Sequence, residues 1–193
     1  MEPARQTRFT EDEYLALEAA SRTKHEFVRG EIRAMAGASP EHNLIAGNVA
    51  SLLRAALRGR PCGVFPSDQR VYVGASGRYT YPDVTVVCGR VDRAPQDPMA
   101  ITNPSLLVEV LSPSTEHYDL GEKLADYRRI DSLHEVVTVR VDARHVELWQ
   151  RTDVGRWQWS EFDGAGTVLE LSSLGVRLPL DEVYEQMAWL KGE

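Results

Sequence analysis

Long apolar runs are missing from this sequence. No window approaches about 18 uninterrupted apolar residues, so nothing is expected to span a membrane. The opening Met1-Glu2-Pro3-Ala4-Arg5-Gln6-Thr7-Arg8 also lacks the apolar centre of a secretory signal. Cysteine is scarce. Cys62 and Cys88 have no metal-type spacing and are expected as reduced thiols in a cytoplasmic protein. Positive charge is short as well: 22 Lys and Arg face 29 Asp and Glu, a formal net charge of −7 that argues against a strongly basic nucleic-acid binder. Any basic surface has to be local, made from Arg54, Arg58, Arg60, Arg70 and Arg78, unless these are merely a solvated face. Serine nucleophile chemistry is disfavoured, because Ser112 and Ser114 lack both the flanking glycines of a nucleophile elbow and a recognisable base. Internal repeats and low-complexity tracts are absent too, so residues 1–193 are read as a single domain.

What is present centres on Leu106-Leu107-Val108-Glu109-Val110-Leu111. A short apolar run between Asn103-Pro104-Ser105 and Ser112-Pro113-Ser114 suits a strand buried on both faces. Alternation puts Leu107, Glu109 and Leu111 on one face and Leu106, Val108 and Val110 on the other. A buried ionised carboxylate costs several kcal/mol unless something positive compensates it. Glu109 therefore calls for a basic side chain or a metal ion. A second apolar run, Tyr81-Pro82-Asp83-Val84-Thr85-Val86-Val87-Cys88, carries an acid at its entry. If the two strands are neighbours, Asp83 and Glu109 come together, and a divalent cation between them relieves their repulsion.

The rest of the chain reads as mixed α and β. Thr10 and Glu13 form a capping-box signature for a helix to Ala20, and a hairpin over residues 24–35 turns at Arg29-Gly30. Glu26 in that hairpin is either an edge-strand acid or a contributor to an active site. Ser39 and Pro40 open a helix to about residue 58, with His42 in its first turn as a surface residue or a phosphate or metal-water contact. A helix is expected over about residues 120–130, capped by Asp119, with Leu120, Lys123, Leu124 and Tyr127 on one face. Lys123 then faces inward, unless it is a surface lysine paired with Asp126 or Asp119. Strands follow at residues 136–139, 146–149, 157–159 and 167–169. Asp181 is expected to cap a last helix whose stripe of Val183, Met187 and Leu190 is core or dimer contact.

Pro82-Asp83, the string Glu109-Val110-Leu111-Ser112-Pro113-Ser114-Thr115, and Asp119, Lys123 and Tyr127 at four-residue steps together resemble the Uma-type restriction endonuclease family, placed in the PD-(D/E)XK nuclease superfamily. The likeness runs from about Phe9 to Leu190. It implies an α/β fold with a restriction-endonuclease-like core, a mixed β-sheet flanked by helices, here with an N-terminal helix-hairpin addition. The implied activity is phosphodiester hydrolysis of nucleic acid, with DNA as the expected substrate, Mg²⁺ or Mn²⁺ as cofactor and a homodimer as the expected assembly. Asp83 and Glu109 would be the metal-binding and catalytic acids. The superfamily has a lysine two residues after the glutamate, where this chain has Leu111, and the resemblance makes Lys123 on the following helix its replacement. Two other classes stay open: a catalytically inactive nuclease-fold binding module, and a carboxylate-pair hydrolase such as a glycosidase. The second fits poorly with acids set in apolar strands.

Overall fold

The computed structural model describes residues 8–112 and 119–192, with backbone only at residues 119, 120 and 191. The Pro113-Ser114-Thr115 part of the motif and the proposed Asp119 cap therefore lie outside the described residues or side chains.

Helix α1 (Glu11–Ala20) begins where expected, with Thr10 accepting from the Glu13 N–H while the Glu13 carboxylate takes the Thr10 N–H. Strands β1 (His25–Val28) and β2 (Glu31–Ala34) pair antiparallel around Arg29-Gly30. Both turn residues have positive φ, 51° and 89°, as a two-residue turn matched to strand twist requires. The hairpin is not a simple addition. It forms one side of a five-stranded sheet of order β2-β1-β5-β4-β7, with β4 at Arg70–Val73, β5 at Arg78–Thr80 and β7 at Ala100–Ile101. Tyr14 of α1 is buried against Phe27 and Tyr79 and locks the helix onto this sheet.

The larger sheet has six strands in the order β11-β10-β9-β8-β6-β3. These are β3 (Cys62–Pro66), β6 (Val84–Cys88), β8 (Leu106–Leu111), β9 (Glu135–Arg140), β10 (His145–Arg151) and β11 (Trp157–Asp163). Only β8 and β9 run parallel, so the sheet is mixed. Helix α2 (Pro40–Ala56) lays Ile45, Val49 and Leu53 over Leu106, Val108 and Val110 on one face. On the other face, Leu107 and Val136 meet Leu124 and Tyr127 of the one-turn helix α3 (Leu124–Tyr127), followed by Ile130 and Leu133. Helices thus cover both sides of β8, whose six residues are all buried. Strands β12 (Val168–Leu171) and β13 (Val176–Pro179) form a separate ribbon that joins the α2 layer.

Three expectations need correction. Cys62 and Cys88 are not reduced thiols but a disulfide. They sit opposite each other in the β3–β6 register, a proximity that a sequence separation of 26 conceals. The helix expected over residues 120–130 is shorter and irregular: Asp119–Lys123 is a wide π-type turn broken at Gly121 (φ −89°, ψ −108°), and regular α-helix lasts only for α3. Glycine's weak helix propensity explains the break. Asp181 caps nothing. It lies inside α4 (Leu180–Val183), where its carboxylate takes the Gly166 N–H and the Arg144 guanidinium. Gln186 at φ 66° then separates α4 from α5 (Met187–Lys191). Among the described residues no helix is long and apolar enough to cross a membrane.

Gly30 is the tightest point of the hairpin. A Cβ there would stand 2.9 Å from Arg8 Cβ, and its φ of 89° disfavours any L side chain. Gly30→Ala should cost about 1–3 kcal/mol, read as a lower urea midpoint with an unchanged slope.

Candidate active site

The two acidic strands are neighbours. β6 and β8 pair antiparallel with Val84 opposite Val108, so the next step of the same register sets Asp83 across from Glu109. The backbone ladder stops there. Instead, Asp83 Oδ2 accepts the Val110 N–H at 2.8 Å, so a carboxylate replaces a carbonyl at the end of the strand pair. Pro82 explains the place: it has no N–H for a ladder and stands just before the strand. On the α2 side, His42 Nε2 comes within 3.2 Å of Asp83 Oδ2, oriented by a helix start that Ser39 caps.

Glu109 is 5% exposed and points to the α3 side. Its Oε1 accepts from Lys123 Nζ at 3.0 Å and from the Tyr127 hydroxyl at 2.5 Å. Lys123, 4% exposed, also lies 3.2 Å from Oε1 of Glu26 on β1. One buried ammonium therefore bridges two buried carboxylates from different sheets. Thr80 on β5 closes the ring, donating to Glu26 and lying 3.3 Å from the Tyr127 hydroxyl. Burial pushes the Tyr127 phenol well above its ordinary range, and the Glu109 charge adds to that. The phenol stays protonated through any working pH and keeps donating.

The short helix has its own tether. Asp126, between Lys123 and Tyr127, accepts from Arg78 Nε at 2.8 Å, and neither side chain is more than 2% exposed. Arg78 is thus no part of a solvated basic face. Arg70 is not either: it is bound to Asp97 and to the Tyr81 hydroxyl. Asp126 is also not the partner of Lys123 that a surface lysine would have had.

The sequence offers Glu26 and His42 as possibilities and Arg78 only as a basic surface residue; it does not show Thr80, the buried pairing of Arg78 or the hydrogen bond of Tyr127. Two sequence signals were available: a basic residue directly after the Gly74-Ala75-Ser76-Gly77 turn, and an acid one place before Tyr127. Neither says which partner it finds. A buried group of Glu18, Tyr81 and Arg70 was also not anticipated. Tyr81 donates to Glu18 at 2.5 Å, and burial followed by the Glu18 hydrogen bond pushes its phenol up to about 12.

The donor chemistry fits a hard divalent cation. Asp83 and Glu109, brought opposite each other by the β6–β8 register, offer only oxygen donors, the ligand type that such a cation takes.

Removing one partner of a buried ion pair strands the other charge. Lys123→Met, which strands Glu26 and Glu109 together, should lower stability by about 3–5 kcal/mol in denaturant titration, and Glu26→Gln in that background should restore part of it. Tyr127→Phe removes one hydrogen bond to a charged acceptor and should cost about 1.5–3 kcal/mol in the same measurement.

Comparison with known proteins agrees with this architecture. A family model described as "Putative restriction endonuclease" matches residues 11–181. An uncharacterized protein of Synechocystis sp., slr1290, is 36% identical over 178 residues, covering 92% of each chain. A second uncharacterized Synechocystis protein, sll1609, is 35% identical over 167 residues, covering 86% of this chain and 94% of its own. The crystal structure of a putative nuclease belonging to DUF820 from Anabaena variabilis superposes with a TM-score of 0.75 at 18% identity, covering 91% of this chain and 97% of that one. At that identity the likeness is one of fold. The match over most of the chain places it in a family: this protein is a member of the Uma2 family, described as "Putative restriction endonuclease".

Proposed function

We propose that this protein is a metal-dependent endonuclease that hydrolyses phosphodiester bonds of nucleic acid, with DNA as substrate and Asp83, Glu109 and Lys123 as the working residues. One observation carries the reading: the buried Lys123 ammonium lies 3.0 Å from Glu109 at the end of β8 where Asp83 is fixed on Val110. Asp83 and Glu109 would hold Mg²⁺ or Mn²⁺, which when bound polarises a phosphate and acidifies a water. The chain's own groups do the rest. The Val110 N–H and His42 hold the Asp83 carboxylate in place. Tyr127 fixes one oxygen of Glu109 by a hydrogen bond from a phenol that burial keeps protonated. Lys123 holds a buried amine group where it can stabilise the negative charge that develops on the phosphoryl oxygens in the transition state. Glu26 keeps that ammonium inside the site when no phosphate is bound.

A second reading, a nuclease-fold binding module without turnover, draws on the same Glu26. Its carboxylate shares the ammonium that a phosphate would need.

Cleavage of a fluorescent DNA duplex in Mg²⁺ or Mn²⁺ separates the two. The wild-type protein should cut, and Glu109→Gln and Asp83→Ala should lose both cleavage and the heat of Mn²⁺ binding. Lys123→Met, assayed where circular dichroism shows it folded, should keep Mn²⁺ binding while its rate falls about 10²–10³-fold. Cleavage that survives in Glu109→Gln refutes the site. Duplex binding without cleavage by the wild type establishes the binding module.

A further inference from the structure

Away from the candidate active site, three side chains on β10 and β11 stand around an ion-sized gap. His145, Glu147 and Glu161 each offer a ligand atom, all within 4.8 Å of one another. The register pairs Glu147 with Glu161 and His145 with Asp163, so the four side chains project from one sheet face. This is not a patch of acids, because an imidazole supplies one corner. His145 Nδ1 lies 2.7 Å from Asp163 Oδ1. With its proton on Nδ1, the ring turns the Nε2 lone pair toward Glu147 Oε1 at 3.8 Å and Glu161 Oε1 at 4.0 Å.

Those two separations carry the argument. Both are too long for a hydrogen bond and leave room for an ion between the three atoms. A point equidistant from the corners of such a triangle lies roughly 2.2–2.5 Å from each, close to the zinc–nitrogen and zinc–oxygen distances of about 2.0–2.2 Å. Directly opposed glutamates also repel across a strand pair unless a cation sits between them. Thr138, 2% exposed, donates to Glu147 Oε2 at 3.1 Å and so holds the other oxygen toward the gap.

We infer that His145, Glu147 and Glu161 bind a divalent transition-metal cation of the zinc class. The imidazole is what selects this class over Mg²⁺ or Ca²⁺, and three protein ligands plus water complete a tetrahedral shell. The cross-strand row Glu109, Thr138, Glu147, Glu161 sets this group on the sheet face that carries Glu109. Two strand spacings of about 4.8 Å separate Glu147 from Glu109. The ion is therefore not the second metal of a two-metal centre, which needs about 3.5–4 Å. Its place is structural: it clamps the terminal strand β11 to β10.

The test uses full-length Glu109→Ala protein, stripped with chelator and titrated with Zn²⁺ by calorimetry. About one Zn²⁺ per chain should bind. His145→Ala and Glu161→Gln, each added to that background, should weaken it at least tenfold, and Asp163→Asn should weaken it about 10–100-fold through the ring it orients. Glu161 is half exposed on an edge strand, so Glu161→Gln keeps the test decisive even where His145→Ala does not fold. Unchanged affinity in Glu161→Gln, or no saturable Zn²⁺ binding by the Glu109→Ala protein, overturns the inference. The readout is ion binding in a protein without Glu109, so it neither depends on the nuclease reading nor decides it.

Discussion

One lysine ammonium between two buried carboxylates sets the terms for this structure. Glu109 comes from the six-stranded sheet, Glu26 from the five-stranded sheet and Lys123 from the segment between them. Neither acid is tolerable where it lies without that charge, and the charge is equally intolerable without the acids. The two sheets are thus joined at this point by mutual electrostatic need, not by apolar contact alone. A four-residue helix has little stability of its own. The position of α3 follows from the side chains it must satisfy: Lys123 on the two glutamates, Tyr127 on Glu109 and Asp126 on Arg78.

The central strand was legible because its information is local. Six positions, five apolar and one acidic, declare a two-faced buried strand, and alternation assigns Leu107 and Glu109 to the α3 face and Val108 and Val110 to the α2 face. Caps and turns are local too, so α1, α2 and the Arg29-Gly30 hairpin could be placed closely. What stayed hidden depends on pairings far apart in sequence. Arg78 and Asp126 are 48 positions apart, Glu26 and Thr80 are 54, and Cys62 and Cys88 find each other only through strand register. The overlong helix after residue 119 has a different cause. A periodic apolar face was visible, but one glycine outweighed it.

The acidic balance of the sequence also gains a structural sense. Several of the carboxylates that make the net charge negative are not surface groups. Glu18, Glu26, Glu109, Asp126 and Glu135 are all buried, each against hydroxyls, cations or amides. Net charge therefore says less about the surface that meets a polyanion than the sequence total suggests.

The Cys62–Cys88 bond closes a covalent ring around everything between those residues, including β4 and β5. Those two strands belong to the five-stranded sheet, while the ring is fastened on β3 and β6 of the other. The smaller sheet is thus tethered to the larger by a loop of chain, not by a single thread. A protease that cut the Gly74–Gly77 turn would leave one covalent molecule, with both halves of β4–β5 still tied to the core. Only reduction would then release them as separate fragments.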